Sequence, residues 1–217
     1  MVPLVRGPIP AVLQEKAATW TAKYLAERQT DPSKRPDHRC YGHEQVRHEL
    51  RSMSCHKCFY CERGLTVREQ EVDHHVEVAE RPQDSFSWEN LYLSCKPCNQ
   101  DKKPNTTHPV TSCLDPCAPG VAPDEHLIFI GESIVARDDS PTGQSTIRKY
   151  NLDRGDLNSA RLKALQELSL AVIAVYKRAH DEGRKVSADE RSLIRAFSSS
   201  TRPFSLMMRA QLQQLGW

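Results

Sequence analysis

Two C-x-x-C pairs, Cys58-Phe59-Tyr60-Cys61 and Cys95-Lys96-Pro97-Cys98, constrain this chain more than any other feature. Each pair lets two thiolates grip one ion from a tight turn, and two such turns make a closed tetrahedral site. The spacing predicts a structural Zn2+ held by Cys58, Cys61, Cys95 and Cys98. Thirty-three residues separate the pairs, more than a minimal ribbon needs and enough for a hairpin between two knuckles. Metal coordination would supply folding free energy to a segment of about 50 residues that cannot build a core of its own. Cys55 also lies at C-x-x-C spacing ahead of Cys58, with two residues between, but the likeness of CFYC to CKPC favours the 58/61 pair. Cys55 then reads as a neighbouring free thiol.

The remaining cysteines, Cys40, Cys113 and Cys117, lie outside this cluster. The opening MVPLVRGPIP has no apolar stretch of the kind an export signal carries, so a cytoplasmic protein is expected, with no disulfides among its eight cysteines and metal ligation by the four of the two pairs. Apolar runs such as AVIAV (171–175) are too short to span a bilayer, so no membrane role is expected. A formal net charge of +2 over 217 residues does not mark a nucleic-acid binder, and any basic surface has to come from local clustering.

Helical periodicity flanks the cysteine-rich segment. Leu13, Ala17, Trp20 and Tyr24 form one stripe of a helix over 9–28 opened by Pro10. A second helix is expected over 41–53, where His43, Val46, Leu50 and Met53 recur at helical spacing. Residues 30–39 form a loop rich in proline and charge. Residues 105–150 read as loop-rich around a small hairpin, HLIFI (126–130) and SIVAR (133–137), turning at Gly131. Beyond 151 the pattern is helical. Leu165, Leu168, Val172, Val175 and Ala179 line a helix that stops before Gly183, Ser187 with Glu190 opens another, and Pro203 opens the last. The expected organisation is α+β: a mostly helical protein with helical segments at 1–54 and 151–217, an inserted zinc-braced module at 55–104, and the loop-rich segment at 105–150.

Between the knuckles lies EVDHHVEV (71–78). Period-two alternation puts Val72, His74 and Val76 on one strand face and Asp73, His75 and Glu77 on the other. Taken alone, the Asp–His pair reads as polar positions facing water; its flanks change that reading. CFYC, Asp73–His74, Asn90–Leu91, CKPC, Asn99 and Lys102 occur in that order over about 45 residues, and this ordered set resembles the zinc-containing HNH endonucleases. The resemblance implies a ββα-metal finger in which His74 is the general base, Asp73 and Asn99 hold a divalent ion, and Asn90 braces the loop that carries the base. The residue types suit phosphodiester hydrolysis, which needs a deprotonated water and a cation at the leaving oxygen. Many members carry histidine where this chain has Asn99. The exchange leaves hard oxygen donors and favours Mg2+ or Mn2+. The double histidine leaves a choice of ring, and the family pattern favours His74 over His75.

Further phrases, VPLVRGPIPAVL, CFYCE, LDP (114–116) and TIRKYNLDRGDLNSAR (146–161), look like the PtuB HNH proteins, which accompany an ABC-type ATPase, PtuA, in Septu antiphage defence and in some retron systems. That likeness implies a DNA-cleaving subunit in a hetero-oligomeric complex with a PtuA-like ATPase. Lys102 and Lys103, expected within the finger helix, are candidates for neutralising phosphates, with Arg148, Lys149, Arg154 and Arg161 as an extension of that track. The competing readings are a non-catalytic zinc module that binds nucleic acid or a protein, and an HNH nuclease that cuts RNA such as tRNA.

Overall fold

The computed structural model describes residues 1–217. Helix α1 (Ala11–Thr30) follows Pro10 and turns its stripe inward, with Leu13 and Tyr24 buried and Ala17 and Trp20 half-buried. The helix expected over 41–53 is instead two, α2 (His38–Tyr41) and α3 (Glu44–Ser54). The break falls at Gly42, whose N–H returns to the His38 carbonyl at 2.8 Å and where a Cβ would meet that same oxygen at 2.6 Å. His43 then caps α3, its Nδ1 accepting from the Gln45 N–H.

Strands β1 (Gln70–His74) and β2 (Leu91–Cys95) pair antiparallel, with Gln70 opposite Cys95 and Asp73 opposite Tyr92. The extended run ends at His74, so the alternation read through Val78 holds for only its first half. Every residue of β2 is buried, and the strand feeds directly into α4 (Lys96–Gln100). Strand, strand and helix thus make the small ββα unit. Lys102 and Lys103 lie past the end of α4 rather than within it. Pro104 disfavours helical backbone at the residue before it, which stops the helix early.

Strands β3 (Leu127–Ile130) and β4 (Ser133–Ala136) form the second hairpin, with Gly131 at φ 60° in its turn. The stretch read as loop after it contains α5 (Pro141–Tyr150). Ser140 accepts from the Gly143 N–H and Pro141 occupies the first helical position, so residues that signal turns here start a helix. Gly143 is required by close packing, since a Cβ there would come within 2.3 Å of the His126 carbonyl. Three more helices follow: α6 (Gly155–Asp181), α7 (Ala188–Arg195), which opens with the Ser187/Glu190 capping box, and α8 (Ser205–Gln214). The architecture is α+β, and no helix is long and apolar enough to cross a membrane.

One hydrophobic cluster joins these parts. It draws on Val2 and Leu50 from the N-terminal region, Phe59, Leu91 and Leu93 from the finger, Ile147 from α5, Leu168 from α6 and Leu212 from α8. Polar ties reinforce it. Arg6 donates to the carbonyls of Trp88, Glu89 and Leu91 at 2.7–2.9 Å, and its guanidinium lies 4.4 Å from the Tyr92 ring centre. Trp88 Nε1 donates to the Gly7 carbonyl in return. The finger is held from both sides by the rest of the chain.

Candidate active site and metal centre

The sulfurs of Cys58, Cys61, Cys95 and Cys98 lie within 4.8 Å of one another, and all four residues are buried. The first knuckle hangs on β2 through the Phe59 N–H to the Leu93 carbonyl, and the second follows the end of β2, so strand pairing sets the distance between them. Four thiolates about 2.3 Å from one ion in a tetrahedron stand about 3.8 Å apart. Cys61 and Cys95 are 3.8 Å apart. The cluster therefore fits zinc. Cys55, in left-handed backbone at the end of α3, is exposed and outside it.

Arg154, just before α6, points its guanidinium at this cluster, with Nη1 3.5 Å from the Cys98 sulfur and Nη2 3.8 Å from the Cys95 sulfur. Four thiolates on one Zn2+ carry an excess of two negative charges, and a nearly buried guanidinium offsets part of that.

His74 ends β1 on the wall of a cleft whose lining includes Asp73, Asn99, Lys102, Glu77 and Arg35. Its Nε2 lies 2.9 Å from the Ser85 carbonyl. A carbonyl only accepts, so Nε2 carries the proton and Nδ1 keeps its lone pair. Burial lowers the pKa of this imidazole below the ordinary histidine value and so favours the neutral ring near pH 7, with the Ser85 bond opposing it in part. The Tyr41 ring meets it edge-on, 4.7 Å between centres. Asn90 fixes the loop that supplies Ser85: its Oδ1 accepts from the Val76 N–H, and its Nδ2 donates to the carbonyls of Val76 and Asp84.

His75 has a different environment. It is buried with its ring stacked on Tyr92, 4.4 Å between centres, and its Nδ1 has no partner. Burial pushes its pKa down to about 4. This is a core histidine, not a cleft residue.

Asp73 is 4% exposed. Its carboxylate accepts from the Tyr60 hydroxyl at 2.7 Å and from Lys102 Nζ at 2.7 and 2.8 Å. Burial and the adjacent carboxylate raise the Tyr60 phenol well above its ordinary pKa, so it stays a donor. Asn99, on α4, gives its amide N–H to Glu71 at 2.8 Å, which leaves its amide oxygen as the atom free to coordinate. A carboxylate and an amide oxygen on one cleft form a donor set suited to a hard divalent cation, and nothing in it favours a soft one.

The basic residues are distributed otherwise than expected. Lys102 binds Asp73 and the His74 carbonyl, while Lys103 is exposed beyond α4. Lys149 is wholly buried, donating to the carbonyls of Lys103 and His108 and to Asn105 Oδ1. Arg161 is buried as well, on the Leu152 carbonyl and Asn158. With Arg154 at the cysteines, only Arg148 of the proposed extension is exposed. Local sequence could not reveal this, because the acceptors are carbonyls brought near by the fold. Tyr60, Ser85 and Arg35 are site residues that the motif reading passed over. Tyr60 was hidden inside a knuckle, and the other two carried no pattern.

Residues 58–105 match the protein family described as HNH endonuclease. The chain is also 26% identical over 171 residues to the "Septu protein PtuB" of Bacillus mycoides strain KBAB4. The matched region covers 62% of this chain and 56% of that relative, so the chain spans little more than half of the relative's length.

Proposed function

We propose that this chain, which carries an HNH endonuclease domain over residues 58–105, hydrolyses phosphodiester bonds of DNA with His74 as general base. The observation that carries the reading is the Nε2–Ser85 bond, which fixes the tautomer of a neutral imidazole in the same cleft as Asp73 and Asn99. His74 Nδ1 takes a proton from water, the water oxygen attacks phosphorus, and the bond from phosphorus to the leaving oxygen breaks. Asp73 and Asn99 would hold Mg2+ or Mn2+, which supplies positive charge to stabilise the leaving oxygen. Tyr60 and Lys102 hold the Asp73 carboxylate in place, and Asn90 keeps the Ser85 carbonyl against His74. The cysteine site, with four ligands and no open position, is structural and takes no part in the chemistry.

The likeness to a Septu PtuB supports a role as the nuclease subunit of a cytoplasmic antiphage complex with a PtuA-like ATPase. Leu162, Leu170, Ile173 and Tyr176 are exposed along α6, and this apolar face is available to such a partner. Nicking of a supercoiled plasmid in the presence of Mg2+ or Mn2+ tests the activity. Wild type should nick, His74→Ala should not, and cleavage of RNA in place of DNA would reassign the substrate. Copurification with the coexpressed ATPase tests the partner.

A further inference from the structure

The cleft as built poses an electrostatic problem for a polyanion. Asp73 and Glu77 both line it, and the nearest lysine, Lys102, is committed to Asp73. Lys149, the other ammonium close by, is wholly buried against carbonyls. A phosphodiester entering this cleft needs a cation that is not already spent.

Arg35 meets that need. It lines the cleft with Asp73, His74 and Asn99, yet it comes from the loop between α1 and α2, outside the ββα unit. Its side chain is exposed and has no hydrogen bond or ion pair within the chain, whereas its neighbours Lys34 and Arg39 are paired with Glu27 and Asp37. Pro36, directly after it, is buried and restricts the Arg35 backbone to extended conformations, so the guanidinium is offered from an anchored stem. Arg35 also lines the adjoining groove, together with Lys23, Lys34 and Arg39. That groove also holds Glu27 and Asp37, which pair with Lys23, Lys34 and Arg39, so its four cations against two carboxylates leave it net positive with Arg35 as its unpaired cation.

We infer that Arg35 is the phosphate anchor of this cleft and that the substrate backbone runs from His74 past Arg35 along the groove of residues 23–39. The inference rests on the nuclease reading of the cleft. The planar guanidinium can hold a phosphate through two N–H groups, which an ammonium cannot.

The test is binding of a fluorescent DNA oligonucleotide by the full chain carrying His74→Ala, across a KCl series starting at low salt. Adding Arg35→Ala should weaken Kd roughly tenfold and flatten the log Kd against log salt slope by about one counterion. Arg35→Lys should keep the slope and lie between the two in affinity. Lys177→Ala, which removes the same charge from the exposed surface of α6, should change neither. Equal behaviour of the Arg35→Ala and Lys177→Ala proteins overturns the inference, and so does failure of the His74→Ala chain to bind at low salt. The nuclease reading fails by a separate result, plasmid nicking undiminished by His74→Ala, whatever Arg35 does to binding.

Discussion

Lys102 places its ammonium 2.7 and 2.8 Å from the two carboxylate oxygens of Asp73, with side chains only 7% and 5% exposed. A nearly buried carboxylate held this way depends on positive charge. Taking away one partner of a buried pair costs about 3–5 kcal/mol, because the other is left uncompensated. Lys102→Met should therefore lower Tm by on the order of 10 °C in metal-free buffer. Millimolar Mg2+ or Mn2+ should restore part of that loss if Asp73 is a metal ligand. Thermal scans with and without the ion check this, and an unchanged Tm without metal would mean that the pair does not hold the site.

Arg154 at the cysteine sulfurs leads to a prediction about zinc retention. Outer-shell partners of metal ligands are commonly worth about 10–100-fold in affinity. Arg154→Met should lose zinc to a colorimetric chelator faster than wild type while starting with one ion per chain. Cys58→Ser and Cys95→Ser should go further and lose the fold with the metal. A purified, folded chain without zinc by elemental analysis would contradict both.

The stacked His75 makes an acid-sensitivity prediction. Its pKa is depressed to about 4 in the folded chain against an ordinary value near 6.5. The unfolded chain binds this proton first as pH falls, so the stabilisation is complete above about pH 6.5 and is lost on the way down to about pH 4. His75→Phe keeps the stack on Tyr92 without a titrating group. Its Tm should fall less than that of wild type between pH 6.5 and 4.5, and it should still nick plasmid. Loss of cleavage in this variant with the fold intact would move the catalytic role from His74 to His75.

The knuckles were legible because metal ligation puts chemistry and spacing in adjacent positions, and CFYC with CKPC closes into one cluster as read. The long stripes of α1 and α6 were legible for a similar reason, since burying one helical face is a local pattern. What could not be read locally depends on distant carbonyls. Lys149, Arg154 and Arg161 look like a surface track in sequence, yet each is satisfied by groups from other elements or from a turn that the fold closes. Helix α5 was hidden because Ser140, Pro141 and Gly143 serve turns and helix starts equally well. In the candidate site, the order of Asp73, His74, Asn90 and Asn99 was visible. The Ser85 carbonyl that sets the His74 tautomer was not, because any residue supplies a carbonyl.

Cleavage by the His74→Ala chain is the most direct test of the proposed chemistry. Nicking in Mn2+ or Mg2+ should fall by about two to four orders of magnitude, the usual share of a general base. Zinc content and Tm should stay close to wild type, because the cysteine cluster stands apart from this ring. The wild-type rate should lose activity on the acid side only below about pH 6.5, since burial lowers the His74 pKa. A His74→Ala protein that is folded, zinc-loaded and cleaves at the wild-type rate would contradict the assignment of His74 as the base.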